Sequence, residues 1–176
     1  MKPIFIISGD KGSGKSTFLV EILYLLQRDG FVVRGFVALH NFESDSYLIK
    51  NVTTKEEALI LQRISDYEKR PDHFKIFSEG VEKGLTWIEE LLEQSPNLAV
   101  IDEIGGYEMR GTLWSNGFAG LVESDIPLIF TVKSKHFSEV VKKWNISATA
   151  IFDSNDFDDS HGAFEKVKEW LQSTLK

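Results

Sequence analysis

The chain has 176 residues, 42% of them hydrophobic and 27% charged, with a formal net charge of -7 at pH 7. Its length and apolar content suit one domain spanning 1–176, and its acidic balance without basic clusters excludes a broad polyanion-binding surface, so no nucleic-acid partner is expected. The lack of cysteine excludes a disulfide framework, a thiolate metal site and a cysteine nucleophile. No apolar run approaches the ~20 residues that span a bilayer, which leads to the expectation of no membrane contact and a cytoplasmic location.

The apolar run Ile4-Phe5-Ile6-Ile7 predicts a first strand over 3–8. Directly after it comes Gly9-Asp10-Lys11-Gly12-Ser13-Gly14-Lys15-Ser16, spelling G-x-x-x-x-G-K-S, and then Leu19, Ile22, Leu23 and Leu26 on one helical face. The four fixed positions match by chance in under ~1% of chains this long, and strand, glycine-rich loop and helix in that order are the context a phosphate-binding P-loop requires. Such a loop wraps a polyphosphate because successive backbone N–H groups point inward at anionic oxygens.

Asp29-Gly30 stops this helix, and a second strand is expected over 31–39, broken at Gly35, followed by a polar stretch over 40–46. Tyr47-Leu48-Ile49 and the apolar 58–64 segment predict an antiparallel hairpin excursion. Phe74 to Phe77 reads as a short strand, and Val81, Leu85, Ile88 and Leu92 mark a helix ending at Ser95-Pro96. Leu98 to Ile101 predicts a buried strand, followed by a helix over 113–122, a strand over 128–132, a helix over 137–144 and a strand over 149–152. The last helix carries Phe164, Val167, Trp170 and Leu171 on its apolar face, and the acidic stretch 153–159 reads as a solvated loop leading to a Ser160 cap. Repeated alternation of strands and helices gives an α/β chain with a mostly parallel sheet, helices on both faces and one antiparallel hairpin, the three-layer P-loop nucleoside-triphosphatase fold.

The strand at 98–101 runs straight into Asp102 and Glu103, which places two acids at the carboxyl end of a buried strand, where open α/β sheets put their ligands. Asp102 is expected to hold Mg²⁺ together with the Ser16 hydroxyl, the ion bridging the β- and γ-phosphates of a nucleoside triphosphate such as ATP or GTP. Glu103, beside that acid, is placed to orient or deprotonate a water attacking the γ-phosphate, and Lys15 to meet the β- and γ-oxygens. The phosphate-binding set is Gly9, Asp10, Lys11, Gly12, Ser13, Gly14, Lys15, Ser16 and Thr17, with Asp10 and Lys11 in the variable positions of the loop. Arg110, the nearest arginine in sequence after Asp102, is a candidate for an extra positive charge, and a finger from another subunit is the alternative. His40, His73, His136 and His161 stand singly with no metal-ligand spacing, so exposed or capping roles are expected. Residues 131–135 lack the N/T-K-x-D pattern that reads guanine, which disfavours small-GTPase behaviour.

Gly9 to Thr17, Arg34-Gly35-Phe36, the 79–92 helix and above all Ile101-Asp102-Glu103-Ile104-Gly105-Gly106-Tyr107-Glu108 resemble the THEP-type nucleoside-triphosphatases, over most of the chain. The hallmark of that family is D-E-I-G, two variable residues, E and an apolar residue, matched by Asp102, Glu103, Ile104, Gly105, Glu108 and Met109. The resemblance implies Mg²⁺-dependent hydrolysis of ATP, GTP and other triphosphates with loose base preference. Gly106 stands where a lysine is frequent in the family, and Asn155-Asp156 where an Asn-Arg pair is expected. Two other readings share the phosphate apparatus. A small-molecule kinase transfers to an acceptor hydroxyl, although an arginine-rich lid is missing from a chain whose five arginines, at 28, 34, 63, 70 and 110, are dispersed. A nucleotide-gated binding module reorders a loop such as 40–46 when the γ-phosphate is lost.

Overall fold

The computed structural model describes residues 2–64, 74–155 and 159–174. Among these residues eight strands form one sheet: β1 (Ile4–Gly9), β2 (Val33–Asn41), β3 (Ser46–Asn51), β4 (Glu57–Arg63), β5 (Phe74–Ile76), β6 (Leu98–Ile104), β7 (Leu128–Lys133) and β8 (Ala150–Asp153). Their spatial order is β5-β4-β3-β2-β6-β7-β1-β8. The five strands from β2 to β8 in that order pair in parallel, and β3, β4 and β5 extend the β2 side as antiparallel hairpins. The helices are α1 (Lys15–Arg28), α2 (Ser78–Gln94), α3 (Gly106–Met109), α4 (Ser115–Glu123), α5 (Phe137–Lys143) and α6 (Ser160–Thr174).

Two cores follow from the alternation of side chains along the strands. Ile4 and Ile6 of β1, Ala99 and Ile101 of β6, and Leu128 and Phe130 of β7 pack on one face beneath Ile88, Trp114 and Phe118 from α2, α4 and the turn before α4. Phe5 and Ile7, Leu98 and Val100, and Ile129 face the other way, against Leu19, Ile22 and Leu26 of α1 and Phe164, Val167 and Leu171 of α6. The central strands are apolar on both sides because both sides are covered, as parallel sheets demand.

The expected elements recur with four corrections. Gly35 does not break the second strand. It keeps φ +125 inside β2, and a Cβ there would strike the Val100 carbonyl, so the glycine serves a close approach between β2 and β6 and the strand runs on to Asn41. The polar stretch 40–46 is therefore partly strand, at His40, Asn41 and Ser46, with the turn confined to residues 42–45. Trp170 is 43% exposed rather than on the buried face of α6. Ser160 is the first residue of α6, and the Asp159 carboxylate, not Ser160, accepts the His161 N–H at 2.9 Å as the cap.

Parallel pairing puts the carboxyl ends of β1, β2, β6, β7 and β8 on one edge. Gly9 of β1 is in register with Lys133 of β7, and Ser8 with Asp153 of β8. The loop after β1 and the acids at the end of β6 therefore share that edge. Helix α2 finishes at the opposite one, capped by Ser95 in left-handed backbone just before Pro96, where the chain enters β6.

Candidate active site

The loop after β1 closes onto α1 through Gly14, whose φ of +89 lies in the left-handed region that only glycine adopts freely. The first bond of the helix runs from the Phe18 N–H to the Gly14 carbonyl at 2.9 Å, so the N–H groups ahead of it have no partner within the helix. These donors and the positive end of the helix dipole face the crevice beyond β1, a ready anion site. Within the loop, the Ser13 N–H donates to the Asp10 carbonyl at 3.1 Å, and the Ser13 and Ser154 hydroxyls are 2.7 Å apart, tying the loop to the end of β8. Lys15 is 5% exposed, and its Nζ donates to the Asp10 carbonyl at 2.8 Å, which folds the ammonium over the loop. Asp10, Lys11 and Thr17 are exposed.

On β6 the pairing with β7 shifts register between Ile101 and Ile104, an irregularity of the kind that re-aims side chains beside active sites. Asp102 and Glu103 occupy it, joined by a cis peptide bond. Asp102 is 1% exposed. Its Oδ2 accepts the Ser16 hydroxyl at 2.8 Å and the Ala38 N–H at 2.9 Å, and its Oδ1 accepts the Thr131 hydroxyl. Burial pushes its pKa up, against the pull of those three donors. Glu103 turns outward, with Oε1 3.3 Å from Lys133 Nζ.

The chain then turns through Gly105 into α3. Glu108 of this short helix is 3% exposed; its Oε2 accepts the Gly105 N–H at 2.9 Å, and its Oε1 has no hydrogen-bond partner among the described residues. Desolvation raises its pKa from 4.5 to about 7, opposed by backbone N–H groups led by that of Gly105. Lys143 Nζ donates to the carbonyls of Glu108 at 2.8 Å and Met109 at 2.9 Å, pinning the end of α3 to α5.

The structure thus gathers the Gly9 to Thr17 loop, Asp102 and Glu103 at one edge. Arg110 is exposed and lies 4.9 Å over the Tyr107 ring, with its guanidinium beside Gly106. Of the histidines, His40 stacks on Tyr47 at 4.5 Å and pairs with Asp45 at 2.9 Å, while His161 sits at the start of α6, 3.6 Å from Glu165. His136 is the exception to a remote role: its ring borders Gly105 and Gly106, next to the acidic pair. His73 and Asp156 lie outside the described residues, and the Asn155 N–H donates to Asp153 Oδ1 at 2.9 Å. Sequence reasoning missed Thr131, the Ala38 N–H and Lys133 as neighbours of the acidic pair. A lone Thr in the apolar run Leu128 to Val132 was the one local signal.

The sheet order, the helices on both faces and the loop at the end of β1 define a P-loop nucleoside-triphosphatase fold. A family model described as NTPase matches residues 4–154. The nucleoside-triphosphatase THEP1 of Methanocaldococcus jannaschii is 27% identical over 174 residues, 97% of this chain and 98% of that protein. The nucleoside-triphosphatase THEP1 of Methanopyrus kandleri is 21% identical over 174 residues, 95% and 96% of the two chains. Among solved structures, THEP1 from Aquifex aeolicus superposes with a TM-score of 0.74 at 16% identity, covering 96% of this chain and 99% of that one. A human cancer-related nucleoside triphosphatase gives 0.70 at 15% identity over 100% of both chains. At such identities these two structures speak to the fold. The chain belongs to the NTPase family, that of the THEP-type nucleoside-triphosphatases.

Proposed function

We propose that residues 1–176 form one nucleoside-triphosphatase domain that hydrolyses the γ-phosphate of ATP, GTP and other nucleoside triphosphates with Mg²⁺ as cofactor and little selectivity for the base. The observation that carries this reading is the 2.8 Å hydrogen bond from the Ser16 hydroxyl to the Asp102 carboxylate, which joins the phosphate loop to the acidic strand end. A hydroxyl and a buried carboxylate are hard oxygen donors suited to Mg²⁺, and a cation there would offset the cost of burying the carboxylate's charge. Among the described residues no cluster of three His, Cys, Asp or Glu competes as a metal site. Ser16 and Asp102 would hold the ion, which when bound neutralises charge on the β- and γ-phosphates.

The remaining work falls to the chain. Loop and first-turn N–H groups from Gly12 to Thr17 bind the phosphate oxygens. Lys15 leaves the Asp10 carbonyl, a neutral acceptor, for phosphate oxygens that carry full charge. Glu103, next to Asp102 but turned outward, accepts a hydrogen bond from the attacking water and takes its proton as the P–O bond forms. Base tolerance agrees with the absence of a guanine-reading pattern over 131–135. No helix of the described residues is long and apolar enough to cross a membrane, and a cytoplasmic setting would supply the nucleotide. Phosphate release from ATP, GTP, CTP and UTP, each with Mg²⁺ and with chelator, tests the proposal. Release from all four that vanishes with chelator is the expected result, and no release from any of them removes the reading.

A further inference from the structure

Glu103, placed to serve an attacking water, is engaged through Oε1 by Lys133, and this contact has no role in the apparatus described above. Lys133 ends β7, the strand lying between β1 with its phosphate loop and β6 with its acids. Its Cα is in register with Gly9, the residue that opens the loop. Its Nζ lies 3.3 Å from Glu103 Oε1, and the two side chains are 32% and 26% exposed. The lysine therefore stands over the same crevice as Lys15, from the adjacent strand, on a side chain free enough of the core to change partner. Held at the rim by a single carboxylate in partial contact with water, such a pair is worth little by itself. A terminal phosphate brings more charge and more acceptor oxygens than one carboxylate, so it competes well for the ammonium.

Resting on the hydrolytic reading, the geometry points to Lys133 as a γ-phosphate-binding residue that exchanges Glu103 for the terminal phosphate of a triphosphate. The exchange has two consequences. It adds a cation, supplied from within the chain, at the oxygens where charge develops on the transferred group. It also releases the Glu103 carboxylate to a water at the moment a triphosphate is seated. A diphosphate leaves Lys133 on Glu103, so the site reads the presence of the third phosphate. No bond is made or broken in this step; one ammonium hydrogen-bond partner replaces another.

The test is calorimetric titration of the whole chain with Mg²⁺ and either ADP or a non-hydrolysable ATP analogue, for wild type, Lys133→Met and Lys133→Arg, alongside phosphate release from ATP. The wild type should bind the triphosphate more tightly than the diphosphate. Lys133→Met should lose about tenfold or more of triphosphate affinity, the size of one charge-assisted hydrogen bond, with diphosphate affinity held within about twofold. Lys133→Arg should restore most of the preference, and turnover should follow the preference across the three proteins. Should the Met variant not fold, Lys133→Gln reads the same ratio. A wild-type ratio of triphosphate to diphosphate affinity in the Met or Gln variant overturns the inference, including when turnover alone falls, since the lysine would then act only by holding Glu103. Wild-type binding without preference for the triphosphate also overturns it. Wild-type phosphate release with unchanged Met-variant affinities removes this role and leaves the hydrolytic reading standing, whereas a wild type that prefers triphosphate through Lys133 but releases no phosphate does the reverse.

Discussion

Replacing Glu108 by glutamine should flatten the pH dependence of stability. In the folded chain this carboxyl is sealed beneath the turn that follows the acidic pair, with Oε2 accepting the Gly105 N–H at 2.9 Å and Oε1 without a hydrogen-bond partner among the described residues. Burial raises its pKa from 4.5 to about 7. The folded state therefore holds the proton more tightly than the unfolded chain does. Its contribution is complete below pH 4.5 and is lost as pH rises through about 7. Each tenfold gain in proton affinity corresponds to ~1.4 kcal/mol, so the full difference is about 3 kcal/mol, most of it lost between pH 5 and pH 8. Glu108→Gln keeps an acceptor for the Gly105 N–H and nearly the same shape but has no proton to lose. Urea unfolding of both proteins at intervals from pH 5 to 8 is the assay, and titrations elsewhere cancel in the difference. The wild type should lose about 2 to 3 kcal/mol over that interval that the glutamine variant does not lose. Parallel curves for the two proteins would refute the burial argument.

Two glycine substitutions in helices should have opposite signs. At Gly120 in α4 an added Cβ meets only Leu92 Cδ1 at 3.6 Å, so Gly120→Ala should stabilise by about 0.4–1 kcal/mol through the unfolded chain. At Gly84 in α2 it meets the Trp114 ring at 2.5 Å and Ile49 Cδ1 at 2.9 Å, so Gly84→Ala should cost about 1–3 kcal/mol despite the same helix preference; denaturant midpoints decide both. Asp159→Ala removes the acceptor for the His161 N–H at the start of α6 and should cost about 1 kcal/mol, a fall of roughly 2–4 °C in Tm by calorimetry.

The strand into the loop, the loop itself and α1 were legible because they are local: four apolar residues, a glycine spacing and one helical stripe lie within 26 residues of the amino terminus. The same holds for β6 and its acids, and the THEP-type likeness rested on those segments. Helix α3 was not expected, since Gly106 to Met109 is too short to display a period. The extension of β2 past Gly35 was hidden because it depends on Val100 of a distant strand. The partners of the acidic pair were hidden for the same reason. Ala38, Thr131 and Lys133 reach Asp102 and Glu103 only because β2 and β7 flank β6, an order that no window of sequence displays. Trp170 shows the converse error, where a helical period was right for α6 but the stripe was drawn too wide.

In the proposed mechanism the loop after β1 and the acids ending β6 form one hydrolytic site in which Glu103 serves the water. Glu103→Gln tests it most directly, by calorimetric affinity for Mg²⁺ with a non-hydrolysable ATP analogue and by phosphate release from ATP on the same preparation. Affinity within a few-fold of wild type and turnover lower by about 10²–10⁴ are the expected result. Turnover equal to wild type in a variant that binds normally would contradict it.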